Sequence, residues 1–282
     1  RNPSVPELPE VHTVVDNLNA LDLSGSTITK ARVHWPKTIA AMTPARNRKQ
    51  IKGLSNKGYS RRGKYIVMNL SQWWTLLIHL RMTGRLLWTP TGVRRGKHEH
   101  VVLQLDRANE LRFHDTRKFG RMSLTQTAQS MLDNIGPEPL EKSFTRKRLL
   151  QMLQGKKRQM KPLLLDQTFI AGLGNIYVDE ALWEAGIHPS RISSSLTPKD
   201  IAALHKAIRL VLRRGLKNMG TSLGTGRGNF YSVAGRKGRN ADELKVFRRT
   251  GEACPRCGTA IERLVVGQRG THICPLCQCP AG

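Results

Sequence analysis

The sequence predicts a multi-domain α+β protein, and three observations predict it. Seven short β-rich runs punctuated by Gly or Pro occupy the first half of the chain. The apolar period then changes to that of helices, and all five cysteines crowd into the last 29 residues. A length of 282 residues suggests two or three domains, and 39 % hydrophobic residues supply material for real cores.

From Pro9, the apolar residues Val11, Val14, Val15 and Leu18 follow the i, i+3, i+4, i+7 template. Pro9 suits a first helical turn, so an amphipathic helix begins almost at the N-terminus. The β-rich runs follow at 27–33, 58–70, 74–79, 84–88, 100–105, 110–114 and 120–124, a spacing that reads as a β-sandwich or barrel. Residues 132–140, Leu-Asp-Asn-Ile-Gly-Pro-Glu-Pro-Leu, read as the linker that ends this domain. Beyond it Thr145 can cap a helix over 146–154. Thr197, Pro198 and Asp200 then open a helix whose buried stripe is Ile201, Leu204, Ile208, Val211 and Leu212. Between these helices a Gly-rich turn over 170–177 runs into a helical segment ending at Ala185. Most such turns simply turn, but two helices around one can also aim backbone N–H groups at a phosphate.

The cysteines form Cys254-Pro-Arg-Cys257, sixteen residues, and Cys274-Pro-Leu-Cys277, with Cys279 as a spare. Each Cys-x-x-Cys knuckle presents two thiolates to one tetrahedral ion, so the pattern fits a four-cysteine zinc site, with Cys279 outside it or substituting for Cys277. Two disulfides are the alternative, disfavoured in a cytoplasmic chain without cysteines outside this C-terminal segment. Residues 260–266 and 271–273 read as two strands joined by the turn Gly267-Gln268-Arg269-Gly270. So small a ribbon needs its metal to fold. Arg269, at the turn, is either solvated or a phosphate contact.

The formal charge is +27, from 47 Lys and Arg against 20 Asp and Glu. No acid occurs between Asp22 and Glu99, where sixteen basic residues do, and the acid-free stretch 201–241 adds nine more. A surplus spread over several segments points to a polyanion, with nucleic acid favoured over an anionic membrane or a ribosomal surface. No run approaches the ~18 apolar residues of a membrane span, and the start Arg-Asn-Pro-Ser-Val-Pro lacks the order of a signal peptide. The expectation is therefore a soluble protein of the cytoplasm.

Several local signatures combine in one order: Pro6-Glu7-Leu8-Pro9-Glu10-Val11, Arg61-Arg62-Gly63-Lys64-Tyr65, His79-Leu80-Arg81-Met82-Thr83-Gly84, Asp115-Thr116-Arg117-Lys118-Phe119-Gly120, Gly172-Leu173-Gly174-Asn175-Ile176-Tyr177 and the terminal four-cysteine hairpin. Together they closely resemble the bifunctional formamidopyrimidine-DNA glycosylases over nearly the whole chain from Pro6. The resemblance implies a β-sandwich domain flanked by helices over 6–131 and a linker over 132–144. It also implies a helix-two-turns-helix domain with a lesion-capping loop over 145–240 and a zinc finger over 245–282. Its expected partner is double-stranded DNA carrying oxidised bases or abasic sites, held between the domains by a monomer of the bacterial cytoplasm or nucleoid. The one implied cofactor is a structural Zn2+.

The resemblance also assigns roles. Pro6 is the nucleophile, whose N-terminal amine attacks C1′ and leaves a Schiff base; an α-amino group, with an ordinary pKa of roughly 7.7–8.0, is suited to this at neutral pH. Glu7 is the proton donor. Lys64 serves β-elimination and Arg269 δ-elimination. Met82, Arg117 and Phe119 fill the void left by the flipped nucleotide, as a flexible apolar wedge, a guanidinium for the orphaned base and an aromatic plane. His98, Lys156 and Asn175 fall where the family has DNA contacts. The Pro-Glu-Leu-Pro-Glu start favours the purine-lesion branch.

Two places depart from the family. Pro6 is preceded by five residues, so its nitrogen is an amide in this sequence; Val5, read as a GTG start whose Met is removed, would expose it. The Gly-rich stretch 220–238 lacks the usual Asp-Gly and Gly-aromatic pattern of the capping loop. A non-catalytic lesion-binding protein of the same fold and a basic zinc-ribbon RNA-binding protein are the competing expectations.

Overall fold

A computed structural model describes residues 5–223, 230–233 and 235–280. The chain divides into two compact units, 1–133 with 218–239, and 134–217 with 240–282.

The first unit opens with α1 (Leu8–Ala20) and continues through β1 (Ile28–Val33), β2 (Ile39–Ala40), α2 (Pro44–Ile51), β3 (Asn56–Arg62), β4 (Tyr65–Leu70), β5 (Thr75–His79), β6 (Gly84–Pro90), β7 (Glu99–Leu105), β8 (Asn109–Asp115), β9 (Arg121–Thr125) and α3 (Ala128–Leu132). One sheet has the order β1-β7-β8-β6 and the other β2-β9-β5-β4-β3, antiparallel throughout except for the short β2–β9 pair. Alternating residues of both sheets, among them Ile66, Met68, Ile78, Leu103 and Phe113, share one core with Val11, Val14, Val15 and Leu18 of α1. This is the sandwich alternative of the sequence reading.

Two details of the sequence reading change. The run 58–70 is a hairpin rather than one strand, because Gly63 takes a left-handed φ of 54° and reverses the chain beside Lys64. Helix α1 starts one residue before Pro9, with Glu7 as N-cap: Glu7 accepts the Glu10 N–H while Glu10 Oε2 accepts the Glu7 N–H at 2.8 Å.

The segment 218–239 joins this first unit rather than the helices with which it was grouped. Phe230 and Val233 are buried in the sandwich core, and Glu10 Oε1 accepts the Thr221 N–H at 2.6 Å. Ser222 staples the segment, donating to Phe230 O and accepting the Gly238 N–H. The part of the Gly-rich stretch at 224–229 and 234 lies outside the described residues.

The second unit contains α4 (Arg146–Leu153), α5 (Met160–Leu165), α6 (Asn175–Ala185), α7 (Pro198–Lys217) and the hairpin β10 (Glu262–Val266) with β11 (Arg269–Ile273). Thr145 caps α4 by accepting the Arg148 N–H, and Thr197 caps α7 by accepting the Asp200 N–H. The stretch read as a linker is packed: Phe144 is buried, and a Cβ at Gly136 would come within 2.6 Å of the Phe169 backbone. The cysteine hairpin packs on the helices, with Trp183 of α6 in one apolar cluster with Val246, Cys254, Ile261 and Cys274. Among the described residues, no helix is long and apolar enough to cross a membrane.

Glu10 serves a helix cap and the Thr221 N–H with one side chain. Glu10→Ala removes the carboxylate that accepts from both N–H groups, and we expect it to cost about 2–4 kcal/mol. Urea unfolding checks this, and a midpoint equal to wild type would refute it.

Candidate functional site

In the first unit the site is built around Asp115, fully buried at the end of β8. Its Oδ1 accepts the Thr83 hydroxyl and the Arg117 N–H (3.1 Å), and its Oδ2 accepts the Gly120 N–H at 2.7 Å. One carboxylate thus ties the β5–β6 loop, which carries Met82, to the β8–β9 loop, which carries Arg117 and Phe119. Charge-assisted bonds to buried N–H groups are the strong kind, and they define loop geometry where no strand does. Gly120 is required there, since a Cβ would lie 2.3 Å from the Phe113 ring. The Arg117 guanidinium lies 5.0 Å from the centroid of the Phe119 ring, which is 46 % exposed. A half-exposed aromatic under a cation is available to a base; a core residue is not. The structure therefore brings Met82, Arg117 and Phe119 onto two joined loops.

Pro6 and Glu7 are buried at the N-terminus of α1. Lys64 stands at the tip of the β3–β4 hairpin. Beside it, Tyr65 packs edge-on against His79 at 4.8 Å. Burial, reinforced by the charges of Arg81 and Lys64, pushes the His79 imidazole down to about 3. The neutral ring accepts the Arg81 N–H at Nδ1 (3.0 Å), which holds Arg81 at a left-handed φ of 54° immediately before Met82. His98, half-buried, meets the rings of His114 at 5.9 Å and His100 at 6.4 Å, and its carbonyl accepts the Asp115 N–H at 2.9 Å.

In the second unit Arg269 is not in the hairpin turn. That turn is the two residues Gly267 and Gln268, both left-handed (φ 55° and 62°), and Arg269 is the exposed first residue of β11, opposite Val266. Two successive positive-φ residues match the twist of a two-residue hairpin, leaving no turn position for the arginine. The strand that follows it is clamped. Asn175 at the start of α6 donates to Gly270 O at 3.0 Å, as does the buried Lys161 Nζ, which also pairs with Asp179 Oδ1 at 2.6 Å. Asp179 Oδ2 accepts the His272 N–H at 3.0 Å. Lys156 is exposed after α4, where its carbonyl accepts the Ser193 hydroxyl at 2.8 Å.

Cys254, Cys257, Cys274 and Cys277 place their sulfurs within 4.8 Å of one another. Their closest separations, 3.4, 3.5 and 4.0 Å, bracket the ~3.8 Å expected between thiolates bound tetrahedrally at ~2.3 Å. The donor set fits zinc, and the four cysteines form a single zinc site. Cys279 is outside it, its exposed thiol turned to Leu276 O at 3.2 Å.

Asp115, Thr83, Lys161 and Asp179 had no role in the sequence reading. The available signal was an acid at the end of an apolar strand in an acid-poor chain. For Lys161, one basic residue among 47, there was none.

Burial pushes His114 down to about 4 as well, with Arg85 and His98 adding to it. In the unfolded chain both imidazoles titrate near their ordinary value. Their stabilisation is therefore complete above it and is lost as pH falls towards the folded values. We expect the first unit to weaken below about pH 6.5 by up to ~1.4 kcal/mol per pH unit for each ring. Urea midpoints across this range test it. A His79→Phe variant with the same pH slope as wild type would count against it.

Models of known families match the chain in order. The formamidopyrimidine-DNA glycosylase N-terminal domain matches residues 5–122, the H2TH domain of the same enzymes 135–226, and the zinc finger found in FPG and IleRS 251–278. A formamidopyrimidine-DNA glycosylase of Protochlamydia amoebophila is 46 % identical over 274 residues, covering 97 % of this chain and 99 % of the relative. One from a Roseiflexus species is 43 % identical over 276 residues, covering 97 % and 100 %. Among solved structures, a Lactococcus lactis FPG variant in complex with Fapy-dG-containing DNA superposes with a TM-score of 0.90 at 37 % identity, covering 97 % and 100 %. A MutM complex with DNA containing carbocyclic 8-oxo-G gives 0.89 at 36 %, with the same coverage. With all three domains matched in order, the chain belongs to the formamidopyrimidine-DNA glycosylase family.

Proposed function

We infer that this protein is a DNA-repair glycosylase that excises oxidised purines, 8-oxoguanine and formamidopyrimidines, from duplex DNA and nicks the strand by β,δ-elimination. Full-length membership of the family carries the reading. The joined Met82 and Arg117–Phe119 loops support it, because extracting a nucleotide leaves a gap that such side chains fill.

In this reading the Pro6 amine attacks C1′, the glycosidic bond breaks with proton assistance from Glu7, and the iminium that forms acidifies C2′. Loss of a C2′ proton, assisted by Lys64, expels the 3′ phosphate. A second elimination, assisted by Arg269, expels the 5′ phosphate. Neutral His79 and the clamped β11 hold Arg81 and Gly270 in place, next to Met82 and Arg269 respectively. His98, Lys156 and Asn175 contact the DNA backbone. The chemistry needs Pro6 as mature N-terminus. A polypeptide retaining the Val5–Pro6 peptide bond lacks the amine and would bind lesions without cutting. The protein works as a monomer in the bacterial cytoplasm or nucleoid.

Borohydride reduction with an 8-oxoguanine duplex separates the two. A covalent protein–DNA adduct through Pro6 is expected from protein starting there; no adduct from that protein would refute the enzyme. Arg269→Ala is expected to keep excision and β-elimination while the β,δ product falls at least about tenfold, a loss of ~1.4 kcal/mol in the second step. An unchanged product ratio would remove Arg269 from that role. Stripping zinc with a chelator is expected to unfold the hairpin and lower affinity for abasic-site duplex, both restored by Zn2+. Unchanged affinity of metal-free protein would separate the finger from DNA binding.

A further inference from the structure

The five residues between β8 and β9 are held by more than the Asp115 carboxylate. Arg121, the first residue of β9, donates from one guanidinium nitrogen, Nη1, to the carbonyls of Lys118, Phe119 and Gly120 at 3.1, 3.0 and 2.9 Å. Lys118 takes a left-handed φ of 62°, a conformation disfavoured for any residue with a Cβ and maintained only where surroundings over-determine it. That kink sends neighbouring side chains to different places. Arg117 and Phe119 meet each other, while the Lys118 ammonium sits 4.0 Å from the centroid of the Trp35 ring. The Trp35 backbone is itself tied back, its main-chain N–H donating to His100 O at 3.4 Å, and the His100 ring bonds Asp115 O at 2.7 Å. The loop is thus gripped from β9, from the segment after β1 and from β7.

We propose that Arg121 is a positioning residue which, with the Lys118–Trp35 stack, presets Arg117 and Phe119 as one rigid wedge and so sharpens discrimination of the base opposite the lesion. This rests on the reading of Arg117 and Phe119 as void-filling residues. Specificity is a difference of affinities, and a wedge that cannot repack loses contacts with a mismatched opposite base that a mobile one would recover. Arg121 touches no DNA in this scheme; it acts through the three carbonyls.

The test compares dissociation constants for duplexes carrying a tetrahydrofuran abasic analogue opposite dC or dA. Such binding needs no free amine on Pro6, so it is independent of the cleavage chemistry. Arg121→Ala is expected to narrow the ratio of the two constants by about threefold or more, with affinity for undamaged duplex and melting temperature unchanged. Arg121→Lys, whose ammonium can serve the same carbonyls, is expected to restore the ratio, and Lys118→Gln to narrow it. A wild-type ratio in Arg121→Ala overturns the proposal. Arg117→Ala is the control. If it leaves the ratio intact, the void-filling reading falls and the proposal with it; if it collapses the ratio while Arg121→Ala does not, the proposal alone falls.

Discussion

A buried carboxylate with no solvent to ionise into must find its compensation in the protein, and in the first unit that constraint organises the site. Asp115 collects a hydroxyl and two backbone N–H groups from two separate loops. Met82, Arg117 and Phe119, the side chains proposed to fill the gap left by the extracted nucleotide, stand on those loops. The sandwich beneath contributes rigidity, since β8 delivers Asp115 from the centre of a four-stranded sheet packed on a shared core. Catalytic and recognition geometry must hold to a fraction of an ångström, and bonds to a fixed buried charge provide that better than loop packing does.

The same device recurs. Glu10 joins the cap of α1 to Thr221, Asp179 joins α6 to β11, and Glu180 accepts the N–H groups of Lys245, Val246 and Phe247 where the chain enters the zinc hairpin. Glu7, Glu10, Glu99, Glu110, Asp115, Asp179 and Glu180 are all buried, seven of the 20 acids. Acids spent inside as N–H acceptors or partners of Arg112 and Lys161 leave fewer on the surface, so the outward face is more one-sidedly basic than composition suggests. For a protein that must stay on a polyanion while sampling undamaged sites, this supplies salt-sensitive attraction without specificity.

Much of the fold was legible. The period-2 runs mark strands, Thr145 and Thr197 mark helix starts, and the cysteine spacing specifies the metal site, because each of these signals is local and carries its own physical reason. The eight-residue α2 and the two-residue β2 were missed; the first has Pro44 and five polar or charged residues in a row, the second is held only by its β9 neighbour. The placement of 218–239 was also hidden, since it depends on Phe230 reaching a core more than a hundred residues earlier in the chain.

For the site, the sequence by itself determined which residue types are present: a Pro-Glu pair, a lysine after Gly63, a Met–Arg–Phe set and four thiolates. Their chemistry and spacing carry that information locally, and the family resemblance orders it. Only the tertiary structure decided what aims them. Asp115, Lys161 and Asp179 act across loops and between elements distant in sequence, while His79 and Arg121 hold the backbone of near neighbours. Their effect comes from burial and hydrogen-bond geometry, which exist only once the chain has closed around them. Arg269 illustrates the difference. Its identity was readable, but its place on β11 was set by two left-handed turn residues and by the helix-borne side chains that hold Gly270.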